Sequence, residues 1–427
     1  MPASRTLIRT PQGVALYIGS VLGGGILVLP SLAAGQSGPA SLIAWLIVTL
    51  FSLPVALLFG MLSAQHPTNG GLSDFGRAAF GQHAGNLAGW LYLFVLPFGQ
   101  PAVMLSGMYY LAYVLGLPRH TTVLLAFGVI TTAVIIALAG KRLAARVQML
   151  IVAAIALILA WTFFIGVPHI QPDHFSPFMP FGISSIGATI ALVMWSYIGV
   201  ENLSFIAEDF ENPKRDMVKT VLIGTAIVTV LYLGASGLTI GVLTAHQWAT
   251  TRAPFAEIAL QCAGHDAMIA VTCVGIFIVS ASALASIWGG SNLCASLASK
   301  NALPSLLAQR THGTPRIAIV AIWLTYAATF TAILLFGIDI DAMARLVGAS
   351  TLCTYVMAAA SALKLMSQYR FLAWITLVLS GSALPFFGWA LLLPATVTML
   401  YVLYSLLTAH TSHSPIPLEK RRKDYDI

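Results

Sequence analysis

Apolar runs of about twenty residues recur along the whole chain, and that recurrence limits the fold more than any other feature. A helix needs roughly 20 mainly apolar residues to cross a bilayer. Within lipid only helices and closed barrels can satisfy their own backbone. Such runs fall near residues 12–34, 42–63, 86–115, 121–139, 147–167 and 183–206. Six more follow near 218–243, 267–297, 316–336, 343–363, 370–389 and 391–408, the last two separated only around Pro394. The pattern predicts an all-α polytopic membrane protein with twelve transmembrane helices. Composition agrees: 58% of the 427 residues are hydrophobic and 8% are charged, against about 25% charged in a soluble domain. A cleaved signal peptide does not fit the first run, which exceeds the usual apolar core and is followed by eleven more.

The net charge of +7 does not mark a nucleic-acid surface, because the basic residues lie singly between apolar runs rather than on one face. Sorted by alternate loops, eighteen of the 21 Lys and Arg fall on one side, with Arg119, Arg252 and Arg345 on the other. The excess of positive charge places both termini in the cytoplasm and requires an even number of spans. The Lys420-Arg421-Arg422-Lys423 cluster reads as a topology anchor, with binding to anionic lipid as the second reading. Four cysteines without paired spacing read as free thiols. No span brings together a nucleophile, base or metal-ligand set, so neither an enzyme nor a metal or cofactor is expected.

Two spans carry the polar features. Gly23-Gly24-Gly25 interrupts the first, and each glycine costs a helix about 1 kcal/mol relative to Ala. Broken backbone is tolerated in a membrane only where protein or a water-filled cavity satisfies it. The competing reading is close helix packing through Gly19/Gly23 and Ser20/Gly24, four residues apart. The sixth span reads Met194-Trp195-Ser196-Tyr197-Ile198-Gly199-Val200-Glu201-Asn202 and holds Glu201, the acid lying deep in a span. Such a residue is functional by default, although it can also brace the break. N–H groups at the start of the half-helix after Gly25 favour a carboxylate. Carbonyls freed around Val21, Trp195 and Ile198 suit an ammonium, so backbone alone could meet both charges of an α-amino acid.

In this order and topology the residues resemble the amino acid–polyamine–organocation transporters. The resemblance rests on Gly23-Gly24-Gly25-Ile26, Pro67-Thr68-Asn69-Gly70-Gly71 with Phe80-Gly81, and Trp195 to Glu201. Glu208 leading to Asn212-Pro213-Lys214-Arg215, then Ala302-Leu303-Pro304 and Gly313-Thr314-Pro315, complete it. Gly89-Trp90-Leu91-Tyr92, Leu96 to Ala102, Phe210 to Asp216 and Ile223-Gly224 look most like the bacterial exporters of methionine and branched-chain amino acids. The resemblance implies two inverted five-helix repeats with broken helices 1 and 6, alternating access, and a bacterial inner-membrane location. The divisions follow: tail 1–11, first repeat 12–167, second repeat 183–366, two extra helices 370–408 and basic tail 409–427. It also implies substrate stacking on Trp195 and a gate containing Glu201. Where antiporters of the group carry Ser, this chain has Gly24, so a hydroxyl contact to the carboxylate is lost.

The expected substrate seat comprises Val21, Gly23, Gly24, Gly25 and Ile26 with Trp195, Ser196, Tyr197, Ile198 and Gly199, and also Gln100, Met104 and Trp288. Core packing is an equal reading for Gln100, Met104 and Trp288, and the better one for Ser280, Ser282 and Ser286. Apart from Glu201 this lining is neutral, and a dibasic substrate would want a second buried anion. A neutral apolar amino acid fits better. The fifth span begins Arg146-Val147-Gln148 without a lysine at depth, leaving Glu201 to carry a coupling proton. Glu208 is expected near the cytoplasmic end, pairing with Lys214 or Arg215 in a gate. The local reading of Asn212-Pro213 is a helix start. The sequence thus predicts proton-coupled export of methionine, leucine, isoleucine and valine by a monomer or homodimer in the lipid bilayer. The alternative is an importer or exchanger of another amino acid or amine.

Overall fold

The computed structural model describes residues 8–66, 71–139, 156–201, 210–311 and 313–411. The expectations for Pro67 to Gly70, Arg146 to Gln148, Asn202, Glu208 and the Lys420–Lys423 cluster lie outside the described residues. Among those described, the chain is helical with no strand, and two isolated bridges join Ile8 to Phe210 and Thr311 to Thr314.

The helices are α1 (Thr10–Val21), α2 (Gly25–Ser37), α3 (Ser41–Gln65), α4 (Leu72–Phe80), α5 (Gln82–Leu93), α6 (Leu96–Leu115) and α7 (Arg119–Ala139). Then come α8 (Ala156–His169), α9 (Ser184–Val193), α10 (Pro213–Val242), α11 (Ala245–Thr250), α12 (Pro254–Ala263) and α13 (His265–Ser299). The last four are α14 (Arg316–Phe336), α15 (Ile340–Leu365), α16 (Arg370–Ala383) and α17 (Leu392–Thr411). Among the described residues, eight helical stretches are long and apolar enough to cross a membrane. Two of these stretches bend. Gly25–Gln65 turns at Gly38, whose φ is +63°, and Ser367–Thr408 turns at Gly388, with φ +49°. Positive φ is open to glycine at little steric expense. The division between the last two apolar runs therefore falls at Gly388 and not at Pro394, which lies inside α17.

The chain between α10 and α13 is also more ordered than an apolar-run reading allows. It forms α11, closed by a reciprocal Thr244–Gln247 capping box, and α12, which carries Cys262. Asn212 does precede the first residue of α10. Its side chain makes no cap, and its carbonyl instead accepts the N–H groups of Arg215 and Asp216.

One continuous apolar core runs through nearly all of these helices. The opposite surface is apolar as well: Leu50, Ile135, Phe164, Val230, Leu335 and Phe371 are each at least 62% exposed. Soluble monomers rarely expose contiguous apolar surface on this scale, and lipid is the solvent that fits it. Ion pairs sit at helix ends, where Asp74 meets Arg77 (2.8 Å) and Lys300 (3.0 Å), Arg119 meets Asp339 (2.9 Å) and Arg9 meets Glu211 (2.6 Å).

Candidate functional site

The first span is broken where its three glycines lie. α1 ends at Val21, Gly23 N–H turns back onto the Val21 carbonyl (2.9 Å), and α2 starts at Gly25. Ile26 and Leu27 donate to the Gly23 and Gly24 carbonyls at 3.3 and 3.2 Å. Gly24 and Gly25 are thereby left as the leading N–H donors of α2, as helix geometry requires. The glycines differ in surroundings. A Cβ on Gly24 would stand 2.6 Å from Ser106 Oγ and 2.9 Å from Val103 Cγ1 of α6, whereas a Cβ on Gly23 would meet nothing within 4 Å. Close packing and an opening thus coexist in one triplet.

The second break lies opposite. α9 tightens into a 3-10 turn over Met194–Tyr197, Ile198 is extended, and Gly199 takes φ +119°. The 3-10 turn packs on α2, α3 and α15. Ser20 Oγ donates to the Gly199 carbonyl at 2.9 Å, and a Cβ on Gly199 would run into the Ser20 carbonyl. The ends of the two broken spans therefore touch. Of the carbonyls expected to be free, that of Trp195 is taken by Ile198 N–H (3.2 Å), which closes the 3-10 turn. The Val21 carbonyl, and that of Ser196, which was not among those expected, both lie within reach of the Tyr232 hydroxyl on α10, at 3.2 and 2.9 Å.

Val21, Ile26, Met104, Trp195, Tyr197 and Trp288 share one buried apolar core. Gln100 is also buried, and its Nε2 has no hydrogen-bond partner among the described residues. Trp288 sits on α13, which packs against α6, the helix that carries Gln100 and Met104. Ser280 donates into its own helix, to the Ile276 carbonyl at 2.7 Å, in keeping with packing.

Glu201 is fully buried. Its Oε2 accepts the Gly199 N–H at 3.1 Å and the Tyr355 hydroxyl of α15 at 2.8 Å. The Tyr92 hydroxyl of α5 also hydrogen-bonds this carboxylate. Sequence reasoning did not bring out Tyr355, Tyr232 or Ser106; Ser20 stood only in the small-residue packing reading and Tyr92 only in a motif. The available signal was a tyrosine inside an apolar span, since a buried phenol usually finds a partner. Near the start of α10, Lys214 and Arg215 have no described carboxylate partner within 4.0 Å. The pairs there are Arg9–Glu211 and Thr10 Oγ1 to Asp216 Oδ1 at 2.8 Å. A cavity of about 270 Å³ lies elsewhere, among Tyr109, Tyr113, Arg252 and Glu257 beside the α11–α12 loop. Among the described residues no cluster of His, Cys, Asp or Glu could hold a metal ion.

Long apolar helices, two of them broken where they meet, define a multi-pass membrane protein of the transporter kind. The amino acid permease family matches residues 8–417, and the chain belongs to that family, one of transporters and not of enzymes. It is similar to an uncharacterized amino acid permease, YecA, of Bacillus subtilis, with 29% identity over 93% of this chain and 95% of that protein. The L-methionine/branched-chain amino acid exporter YjeH of Escherichia coli is 26% identical, over 88% of this chain and 91% of its own. The branched-chain amino acid permease BcaP of Bacillus subtilis is 25% identical, over 80% and 77%. The chain is accordingly an amino acid transporter.

Proposed function

We propose that the protein exports neutral apolar L-amino acids, namely methionine, leucine, isoleucine and valine, across the bacterial inner membrane by alternating access and proton antiport. The observation that carries this is the contact between the two breaks. It gathers the leading N–H donors of α2 and the carbonyls of Val21 and Ser196 around residues that are otherwise apolar. A carboxylate at the Gly24 and Gly25 N–H groups and an ammonium at the carbonyls would use no charged side chain. The apolar group would then lie among Ile26, Met104, Trp195, Tyr197 and Trp288. Gln100, with a buried donor still to place, supplies a further polar contact.

Twelve crossings follow if the two bent stretches each count as two and α8 and α9 are added. Under this reading the first repeat spans 12–167, the second 183–366, and 370–408 lies outside both, with both termini cytoplasmic. Glu201 carries the proton, and Glu208 belongs to the cytoplasmic gate.

Counterflow of labelled methionine in proteoliposomes tests the substrate class. Methionine and leucine are expected to compete, and arginine and putrescine to leave the signal unchanged. Competition by arginine equal to that by leucine would overturn it. An importer is the second reading, since the similarity extends to a branched-chain amino acid permease whose name gives no direction. Cells expressing the protein lose methionine under the first reading and accumulate it under the second.

A further inference from the structure

Tyr232 stands in the middle of α10 with no exposed surface. Its ring stacks on Trp45 of α3, centroids 4.8 Å apart and planes within 18°, and Tyr197 leans on it at 5.4 Å. Two aromatic neighbours thus orient the ring, and its hydroxyl is aimed. The aim is at two carbonyls, Val21 at 3.2 Å and Ser196 at 2.9 Å, one from each broken span. Val21 also receives the Gly23 N–H, so Tyr232 takes the second lone pair there. A phenol has one proton and can serve one carbonyl at a time. An ammonium has three donors and a charge, which makes its hydrogen bonds the stronger.

We propose that Tyr232 is a built-in competitor for the substrate's amino group: its hydroxyl holds the carbonyls of Val21 and Ser196, and an arriving ammonium displaces it. This rests on the reading of the junction as the seat of an amino acid. Two consequences follow from the geometry. With the hydroxyl in place, its one proton bridges α10 to one broken span at a time. With the ammonium in place, that bridge passes to the substrate, and α10 is released from the junction. Tyr232 thus sets how strongly an amino group is preferred, although it touches no other part of the substrate.

The test compares leucine with isocaproate, which is leucine without its amino group, by competition against labelled methionine on wild-type protein and on Tyr232→Phe. Removing the hydroxyl leaves the Ser196 carbonyl to the ammonium alone. The variant is expected to bind leucine about three- to ten-fold more tightly, the worth of one buried hydrogen bond, while isocaproate binds as before. Tyr17→Phe is the control, because the Tyr17 hydroxyl bonds Thr225 on the same helix at 2.7 Å and meets neither carbonyl. An unchanged ratio of leucine to isocaproate affinity in Tyr232→Phe, or the same gain in Tyr17→Phe, would overturn the proposal. If isocaproate already competes as well as leucine on the wild type, the reading of the junction itself fails. Should Tyr232→Phe not be recovered folded, fluorotyrosine installed at position 232 alone makes the hydroxyl a better donor. It is expected to weaken leucine binding, and tighter binding would overturn the proposal.

Discussion

A carboxylate shut away from water depends on the donors aimed at it, and at Glu201 these come from three directions: Gly199, Tyr355 on α15 and Tyr92 on α5. Adding a proton turns this acceptor into a group that itself donates, which loosens the tie between the second break and two other helices. That is a physical route from proton binding to movement of the broken span. If Glu201 carries the coupling proton, Glu201→Gln will still bind methionine but lose the change in transport rate between about pH 5 and pH 8. A variant with the parent's pH profile would remove Glu201 from that role. The sequence was sufficient to single out Glu201, because one deep acid in an apolar span stands out. Its partners were not legible. Tyr92 and Tyr355 each read as one more apolar position in a span, and only tertiary placement turns their hydroxyls inward. Gly199 was named, yet its reason was hidden: φ +119° and the Ser20 carbonyl leave no place for a side chain.

The long apolar helices were legible from hydropathy, since run length reports directly on bilayer thickness. The break between α1 and α2 was legible from its three glycines. Its neighbour was not, because nothing in sequence spacing places Ser106 of α6 against Gly24. This contact makes a serine at 24 an overpacking change. Gly24→Ser is expected to lower stability by about 1–3 kcal/mol, read as a fall in Tm in detergent. Adding Ser106→Ala will recover part of the loss and not all, because Val103 still stands within 2.9 and 3.0 Å of the new Cβ. Full additivity of the two changes would show that α2 and α6 do not meet there. The bend at Gly388 and the helices α11 and α12 escaped for a different reason. A single glycine in an apolar run carries no mark of its φ, and short helices outside the membrane lack the length that hydropathy detects.

Seen whole, the molecule keeps its charge at helix ends and its apolar side chains both inside and outside. Glu257 on α12 lies outside the membrane-spanning stretches, and burial pushes its carboxyl up from the usual range despite hydrogen bonds from Thr251 and Gln247 and the nearby His246. The folded protein therefore holds this proton at pH values where the unfolded chain has released it. The contribution is complete below the ordinary carboxylate value and is lost as pH rises through the folded one. Glu257→Gln is expected to flatten the decline in Tm as pH is raised from about 4.5, and a decline as steep as the parent's would count against it. The bridge from Ile8 to Phe210 has a consequence of another kind. It joins the approach to α1 with the approach to α10 through the Glu211 N–H and the Ile8 carbonyl (3.0 Å), alongside the Arg9–Glu211 pair. Dissolved ions screen the exposed pair over about 8–10 Å but barely touch the backbone bond. Ionic strength is thus a dial on only half of this strap, and in brine or in dilute buffer the other half keeps the two approaches in register.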